Sequence, residues 1–371
     1  MSNNTILLSE LQSILKNQIA VDYIAICTTE WHLTGIQAFL GKINQKNCIN
    51  LNGIILIKKH PSKGYMLTPD VVEERIRGAK CFLYKEAPGE KKISLKRANS
   101  KKGKKIYIIS ANSPSIPIAA VCLKAGLKNI ELIVVDEGIS CYFSRFYWLR
   151  EKYQEEHNLA NTLILLLKYI SIDILKFACG LTQHNFLLMK RKKNKLVPNL
   201  EAVSFYKDII LNKEKKKIDF NPASKYSIFL SQPLVEDGLI DKNTLFEFYK
   251  YLNLICKKNG VKLYFKLHPR EKNFNIYRDC GLNIINNGID AETFIYSLNR
   301  KPEYIMGCFT TSLVSIKLFF SMDTMSVNKM ISERNIPKNL EDILNNFNNN
   351  FKDLICIPSE KELLSSLRVN T

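Results

Sequence analysis

Three short polar runs stand directly after apolar stretches of this 371-residue chain, and each has side chains that can do chemistry. Asp136-Glu137-Gly138 follows Glu131–Val135 (ELIVV). Adjacent carboxylates repel, so pairing them is a costly structural choice. A general base requires a carboxylate held in a cleft, where a neighbouring charge or low dielectric raises its pKa. A helix N-cap or turn acid is the structural alternative. His268-Pro269 follows Lys262–Lys266 (KLYFK) and Leu267. An imidazole there can donate a hydrogen bond to a phosphate or protonate a leaving oxygen, and the proline fixes the departing backbone. The dipeptide recurs at His60-Pro61, so alone it is unspecific. Thr310-Thr311-Ser312 opens an apolar helical stretch after Gly307. Three hydroxyls beside the N–H groups of a helix N-terminus suit a phosphate, and capping accounts for one of them. Glu292 is either a capping acid or a ligand for ribose hydroxyls. Thr28-Thr29-Glu30-Trp31-His32 caps a helix or meets a ligand. Glu236-Asp237-Gly238 repeats the acidic pattern after Ser231-Gln232-Pro233-Leu234 but precedes a helix, and reads as a solvated turn.

The elements that must position these residues alternate. Strands are expected at 22–28, 53–58, 105–109 and 131–135, with helices over 32–41 and 115–125. Polarity then rises through 190–195 (KRKKNK) and 213–217 (KEKKK) to Asn221-Pro222, the expected junction. Beyond it come strands at 227–230, 262–266, 282–285 and 304–306, and helices over 242–259, 291–298 and 312–320. The Asn-rich stretch 335–350 reads as an exposed helix or loop before a helix over 361–367. Strands apolar throughout and separated by helices imply parallel sheets buried on both faces. Two such alternations imply an α/β protein of two doubly wound domains, 1–221 and 222–371. Ligands of such sheets sit beyond the carboxyl ends of the strands, where the three polar runs lie.

In order, the acidic triplet, His-Pro and the hydroxyl triplet resemble the motif set of bacterial sialyltransferases: a D/E-D/E-G motif, an HP motif and a paired Ser/Thr motif. The resemblance is to the capsular α-2,8-polysialyltransferase family and its lipooligosaccharide sialyltransferase relatives, spans roughly residues 21 to 320, and includes the Ser231–Leu234 loop with Gln232. Thr-Thr-Ser departs from the more usual Ser-Ser or Ser-Thr, which leaves open which two hydroxyls matter. The resemblance implies a GT-B fold of two Rossmann-like domains facing each other across a cleft, an N-terminal acceptor side and a C-terminal CMP-sugar side. It implies CMP-sialic acid as donor, inversion at the anomeric carbon, and neither metal nor cofactor. By transfer, Glu137 is the general base, supported by Asp136. His268, with Pro269, stabilises or protonates the departing CMP phosphate. Thr311 and Ser312, with Thr310, hold that phosphate; Glu292 holds the nucleoside, and Gln232 belongs to the donor side. The acceptor is an anionic or galactose-terminated glycan, a capsular polysialic acid or a lipooligosaccharide.

Lys and Arg number 54 against 35 Asp and Glu, a net charge of +19 that favours polyanionic partners. Residues 80–105 hold ten basic residues against Glu86 and Glu90, and their Lys101, Lys102, Lys104 and Lys105 are candidates for an anionic acceptor or an acidic membrane face. A solvated Lys-rich surface is the alternative. Nucleic acid is not expected, because no recognised motif appears and aromatic residues do not interleave with the basic runs. Another cytidine-nucleotide transferase of capsule or teichoic acid assembly is the rival enzyme. Ten dispersed cysteines, none in a C-x-x-C pair, and five histidines without ligand spacing suit a reduced, metal-free interior. The N-terminus lacks the pattern of a signal peptide, so a cytoplasmic location is expected, with peripheral contact at the inner face of the plasma membrane. Leu159–Leu181 is strongly apolar but contains Lys168, Asp173 and Lys176, which makes spanning costly. It reads as a helix packed inside the protein, or otherwise as an interfacial membrane helix.

Overall fold

Runs rich in β-branched and aromatic residues form central strands, and here they build two separate parallel sheets. A computed structural model describes residues 5–17, 21–47, 51–59, 66–85, 104–111, 113–156, 158–193, 195–213, 218, 220–222, 224–271, 277–278, 281–285 and 288–369. The chain divides into two units. The first comprises Met1–Cys141, Arg145–Leu188 and Asn199–Ile209, and the second Tyr142–Ser144, Met189–Pro198 and Ile210–Thr371.

The first unit holds β1 (Thr5–Ile6), β2 (Tyr23–Cys27), β3 (Gly53–Lys58), β4 (Ala79–Tyr84), β5 (Ile106–Ala111), β6 (Ile130–Val135) and β7 (Thr182–Phe186). Their order is β1-β4-β3-β2-β5-β6-β7, with every pairing parallel. From β2 outward this is the 3-2-1-4-5-6 order of a Rossmann sheet, with its switch point between β2 and β5. Helix Leu8–Asn17 buries Leu11 and Leu15 on one side of this core, beside helix Ile116–Lys124.

The second unit contains the antiparallel hairpin β8 (Met189–Lys192) and β9 (Lys195–Pro198). Its sheet comprises β10 (Tyr226–Leu230), β11 (Lys262–Lys266), β12 (Asn283–Ile285), β13 (Ile305–Gly307) and β14 (Thr324–Ser326). The order β12-β11-β10-β13-β14 is again 3-2-1-4-5, parallel throughout. Leu230 is in register with both Lys266 and Gly307, so the loops that follow the three central strands leave from one level. Two Rossmann-like units are what the GT-B class requires.

Two expectations fail. The apolar stretch after residue 159 is a helix, Leu159–Ala178, but none of its residues is buried. It does not fill the interior of the described unit. The Asn-rich stretch is helix Lys338–Phe351, not an exposed segment. Leu340, Leu344, Phe347 and Phe351 recur at helical spacing and are fully buried. Asparagines on the other positions hide that period from composition. The basic run 190–195 falls at the β8–β9 turn, where Lys193 adopts the left-handed conformation (φ 55°). Asn221-Pro222 precedes β10 within the second unit.

Candidate active-site residues of the two units

In the first unit β6 delivers Asp136 and Glu137 into different surroundings. Asp136 is fully buried. Its Oδ1 accepts from Trp31 Nε1 (3.4 Å) and its Oδ2 from the Leu188 N–H (3.4 Å), while its own N–H donates to the Tyr206 hydroxyl (3.0 Å). Helix Glu30–Asn47 approaches β6 closely at Gly35, where a Cβ would lie 2.6 Å from the Tyr206 oxygen. Asp136 therefore ties the strand end to its neighbours. Glu137 keeps 36% of its side chain exposed, and His32 Nε2 stands 3.5 Å from its Oε1. The Thr28 N–H donates to His32 Nδ1 (3.2 Å), so the proton of a neutral ring sits on Nε2, facing Glu137. Thr29 accepts from the His32 N–H (3.3 Å), which makes it the capping hydroxyl. The Glu137 N–H donates to Cys141 Sγ (3.3 Å), a thiol that burial pushes up and keeps protonated. Gly138, at φ +135°, turns the chain away.

In the second unit the His-Pro loop is organised by a carboxylate that the sequence did not single out. Glu271 is 1% exposed and accepts from the Ser231 hydroxyl, the Tyr277 hydroxyl and the His268 N–H (2.6 Å). Burial raises its pKa, and the three donors partly offset the rise. The Arg270 N–H donates to His268 Nδ1 (3.1 Å), which places the proton of the neutral ring on Nε2. Arg270 also clasps Asp237 through two hydrogen bonds (2.7 and 3.0 Å). The second acidic triplet is thus a turn, and its Asp237 braces the loop through Pro269.

Gln232 and the hydroxyl triplet meet at this sheet's switch point, between β10 and β13. Gln232 Oε1 accepts from the Phe309 N–H (3.0 Å), joining the two loops. Thr310 is the N-cap of helix Thr311–Phe320 and accepts from the Ser312 N–H (3.3 Å). Capping uses Thr310, while Thr311 and Ser312 form the first turn. Glu292 is not a capping acid: Asp290 caps helix Ala291–Ser297 by accepting from the Thr293 N–H (2.7 Å). Glu292 is buried and accepts from Ser315 and Ser312, and burial raises its pKa. Lys266, also missed in the sequence, ends β11 with 4% exposure. Burial lowers its pKa against the opposing pull of Asp290, Glu271 and Glu292. Nothing local marks it, because the same strand also opens with a lysine, Lys262.

Lys104 and Lys105 precede β5 and pair with Asp22 (2.6 Å) and Glu131 (2.7 Å). They lie at the amino ends of the parallel strands. At about 3.3 Å per residue, β5 separates that edge from the carboxyl ends by roughly 20 Å. The structure does not bring them to Glu137. Lys101 and Lys102 lie outside the described residues.

The family model for alpha-2,8-polysialyltransferase matches residues 7–329, nearly the whole chain. The chain belongs to the alpha-2,8-polysialyltransferase family. This polysialyltransferase relative is accordingly a glycosyltransferase, and the match includes both strand-end regions. None of the curated proteins matches it in sequence. Among solved structures it is similar to an alpha/beta-galactoside alpha-2,3-sialyltransferase from Photobacterium phosphoreum, at 13% identity and a TM-score of 0.46, covering 92% of this chain and 99% of that one. It is also similar to a 2,6-sialyltransferase of Photobacterium sp. JT-ISH-224, solved with CMP and lactose, at 10% identity and a TM-score of 0.44, covering 90% and 78%. A putative UDP-N-acetylglucosamine 2-epimerase from Listeria monocytogenes is similar at 8% identity and a TM-score of 0.45, covering 95% and 91%.

Proposed function

We propose that the protein moves sialic acid from CMP-sialic acid to a hydroxyl of a surface glycan, with inversion at the anomeric carbon. The acceptor oxygen attacks that carbon and its proton passes to Glu137. The bond from the anomeric carbon to the phosphate oxygen breaks, and CMP departs with the electron pair. His268 Nε2–H donates to the departing phosphate, whose charge is further offset by Thr311, Ser312 and the N-terminus of their helix. Glu292 and Lys266 form the polar end of the donor side. Asp136 fixes the turn that presents Glu137, and Gln232 holds the hydroxyl loop in place. The reading calls on no cofactor. A capsular polysialic acid or a lipooligosaccharide is the acceptor class.

The observation that supports this reading is the division of labour at the ends of β6, β11 and β13. One half-exposed carboxylate, one imidazole with its proton on Nε2 and one hydroxyl-rich helix start are each fixed by neighbours. A panel of CMP- and CDP-linked sugars, assayed for nucleotide release, tests it. CMP-sialic acid should be consumed, and Glu137→Ala and His268→Ala should each lose about 10²- to 10⁴-fold in kcat. Full activity in both variants, or preference for a CDP-linked donor, would refute the assignment.

A further inference from the structure

Helix Leu159–Ala178 turns an uncovered apolar ridge to solvent. At 100° per residue, Leu163, Leu167, Ile170, Ile174 and Phe177 fall on one face and run along about 21 Å at 1.5 Å per residue. Their exposure decides the matter: Leu167 and Ile174 are each 60% exposed and Phe177 91%. Exposed apolar surface this continuous marks an interaction site. The opposite face, with Tyr169 and Ile172, is half-buried and packs on helix Arg145–Glu156. That packing is secured polar-wise: Arg145 pairs with Asp173 (3.1 Å for one of two contacts), and its guanidinium lies 5.4 Å from the Tyr169 ring. Lys176 pairs with Asp173 as well (2.9 Å), so the one acid of the helix is neutralised beside the ridge. No described helix is long and apolar enough to cross a membrane.

We infer that this ridge seats in the surface of an anionic phospholipid bilayer, with the helix lying in the interfacial plane. Charge selects that occupant. Two copies of a chain carrying +19 repel, which disfavours pairing ridge to ridge, whereas an anionic surface attracts the same charge. Residues 145–178 themselves hold five basic against four acidic groups, so the attraction comes from the rest of the chain and the insertion from the ridge. Lys168 flanks the apolar arc, where its stem can lie along lipid with the ammonium in water. Exposed Tyr153 and half-buried Trp148 on the companion helix are residue types enriched at membrane–water interfaces. Both terms together are needed, because a single shallow apolar element binds only reversibly.

Flotation of the full chain with vesicles tests the inference independently of any transfer reaction. The protein should float with phosphatidylcholine vesicles containing about a third phosphatidylglycerol, and at least about tenfold less with pure phosphatidylcholine. The triple variant Leu167→Gln, Ile170→Gln, Ile174→Gln, checked for unchanged helical content, should lose binding by at least about tenfold. Equal flotation of parent and variant would overturn the inference, as would absence of flotation by the parent. Phe177→Trp adds a probe that removes nothing from the fold's interior. Lipids brominated in the acyl chain should quench its emission; no added quenching would overturn the inference. So would a parent that sediments as a dimer without lipid while the triple variant sediments as a monomer.

Discussion

His32 Nε2 lies 3.5 Å from Glu137 Oε1, with the imidazole oriented from behind by the Thr28 N–H. The two residues stand at the ends of β2 and β6, with β5 between them, so sheet order and not sequence proximity makes the pair. A carboxylate that receives a proton late in the reaction is aided by a donor that fixes its orientation. His32→Ala should lower kcat by about tenfold and leave the KM for donor nearly unchanged, the pattern of a positioning residue. In the Glu137→Ala background the same substitution should have little further effect, a non-additivity expected of groups acting as one. Additive losses in steady-state kinetics would separate the two residues.

Gly35 is where the helix carrying His32 meets the strand carrying Glu137. A Cβ there would meet the Tyr206 oxygen at 2.6 Å and Val135 Cβ at 3.0 Å. Gly35→Ala must displace Tyr206, which accepts the Asp136 N–H, at an overpacking cost of about 1–3 kcal/mol. Helix propensity alone would make the change stabilising, so a lowered melting temperature together with reduced kcat would show that close approach governs the site. An unchanged or raised melting temperature would contradict it.

How much of this was legible beforehand follows from period and burial. β2, β3, β5, β6, β10 and β11 are apolar runs bounded by turns, and their sequence signal suffices. β7 (TQHNF) and β14 (TMS) are not apolar runs; they exist because a parallel neighbour offers hydrogen bonds. The exposed ridge of Leu159–Ala178 defeats the assumption that apolar means interior. That the acidic triplet, His-Pro and the hydroxyls follow strand ends was legible, because an apolar run precedes each of them. Glu271, Lys266 and the His32–Glu137 contact could not, because long-range packing, not local pattern, gives each its role.

Thr310 and Ser312 share one helix start but differ in their hydrogen bonds. Thr310 accepts the Ser312 N–H as the cap, so Thr310→Val should cost about 1 kcal/mol in stability, with a modest effect on donor KM. Ser312 sits in the first turn, and its hydroxyl also supports Glu292. Ser312→Ala should raise donor KM by roughly tenfold or more, the scale of a hydrogen bond to a charged group. Kinetics and melting curves on the two single variants check the split. A dominant KM effect in Thr310→Val would instead place the cap hydroxyl on the phosphate.

Glu271 makes the stability of the second unit depend on pH in a direction opposite to that of a salt-bridged acid. Burial raises its pKa in the folded state, so folding takes up a proton where the unfolded chain has already ionised. The associated stability is present below the ordinary glutamate value near 4.5 and is lost as pH rises through the folded value. Glu271→Gln has no such proton to lose. It also cannot accept equally from Ser231, Tyr277 and the His268 N–H, so near pH 5 it should be less stable than the parent by about 1 kcal/mol. That gap should narrow as pH rises toward 8 in chemical denaturation curves. A gap that widens with pH would mean that the three donors outweigh burial and hold the carboxyl ionised.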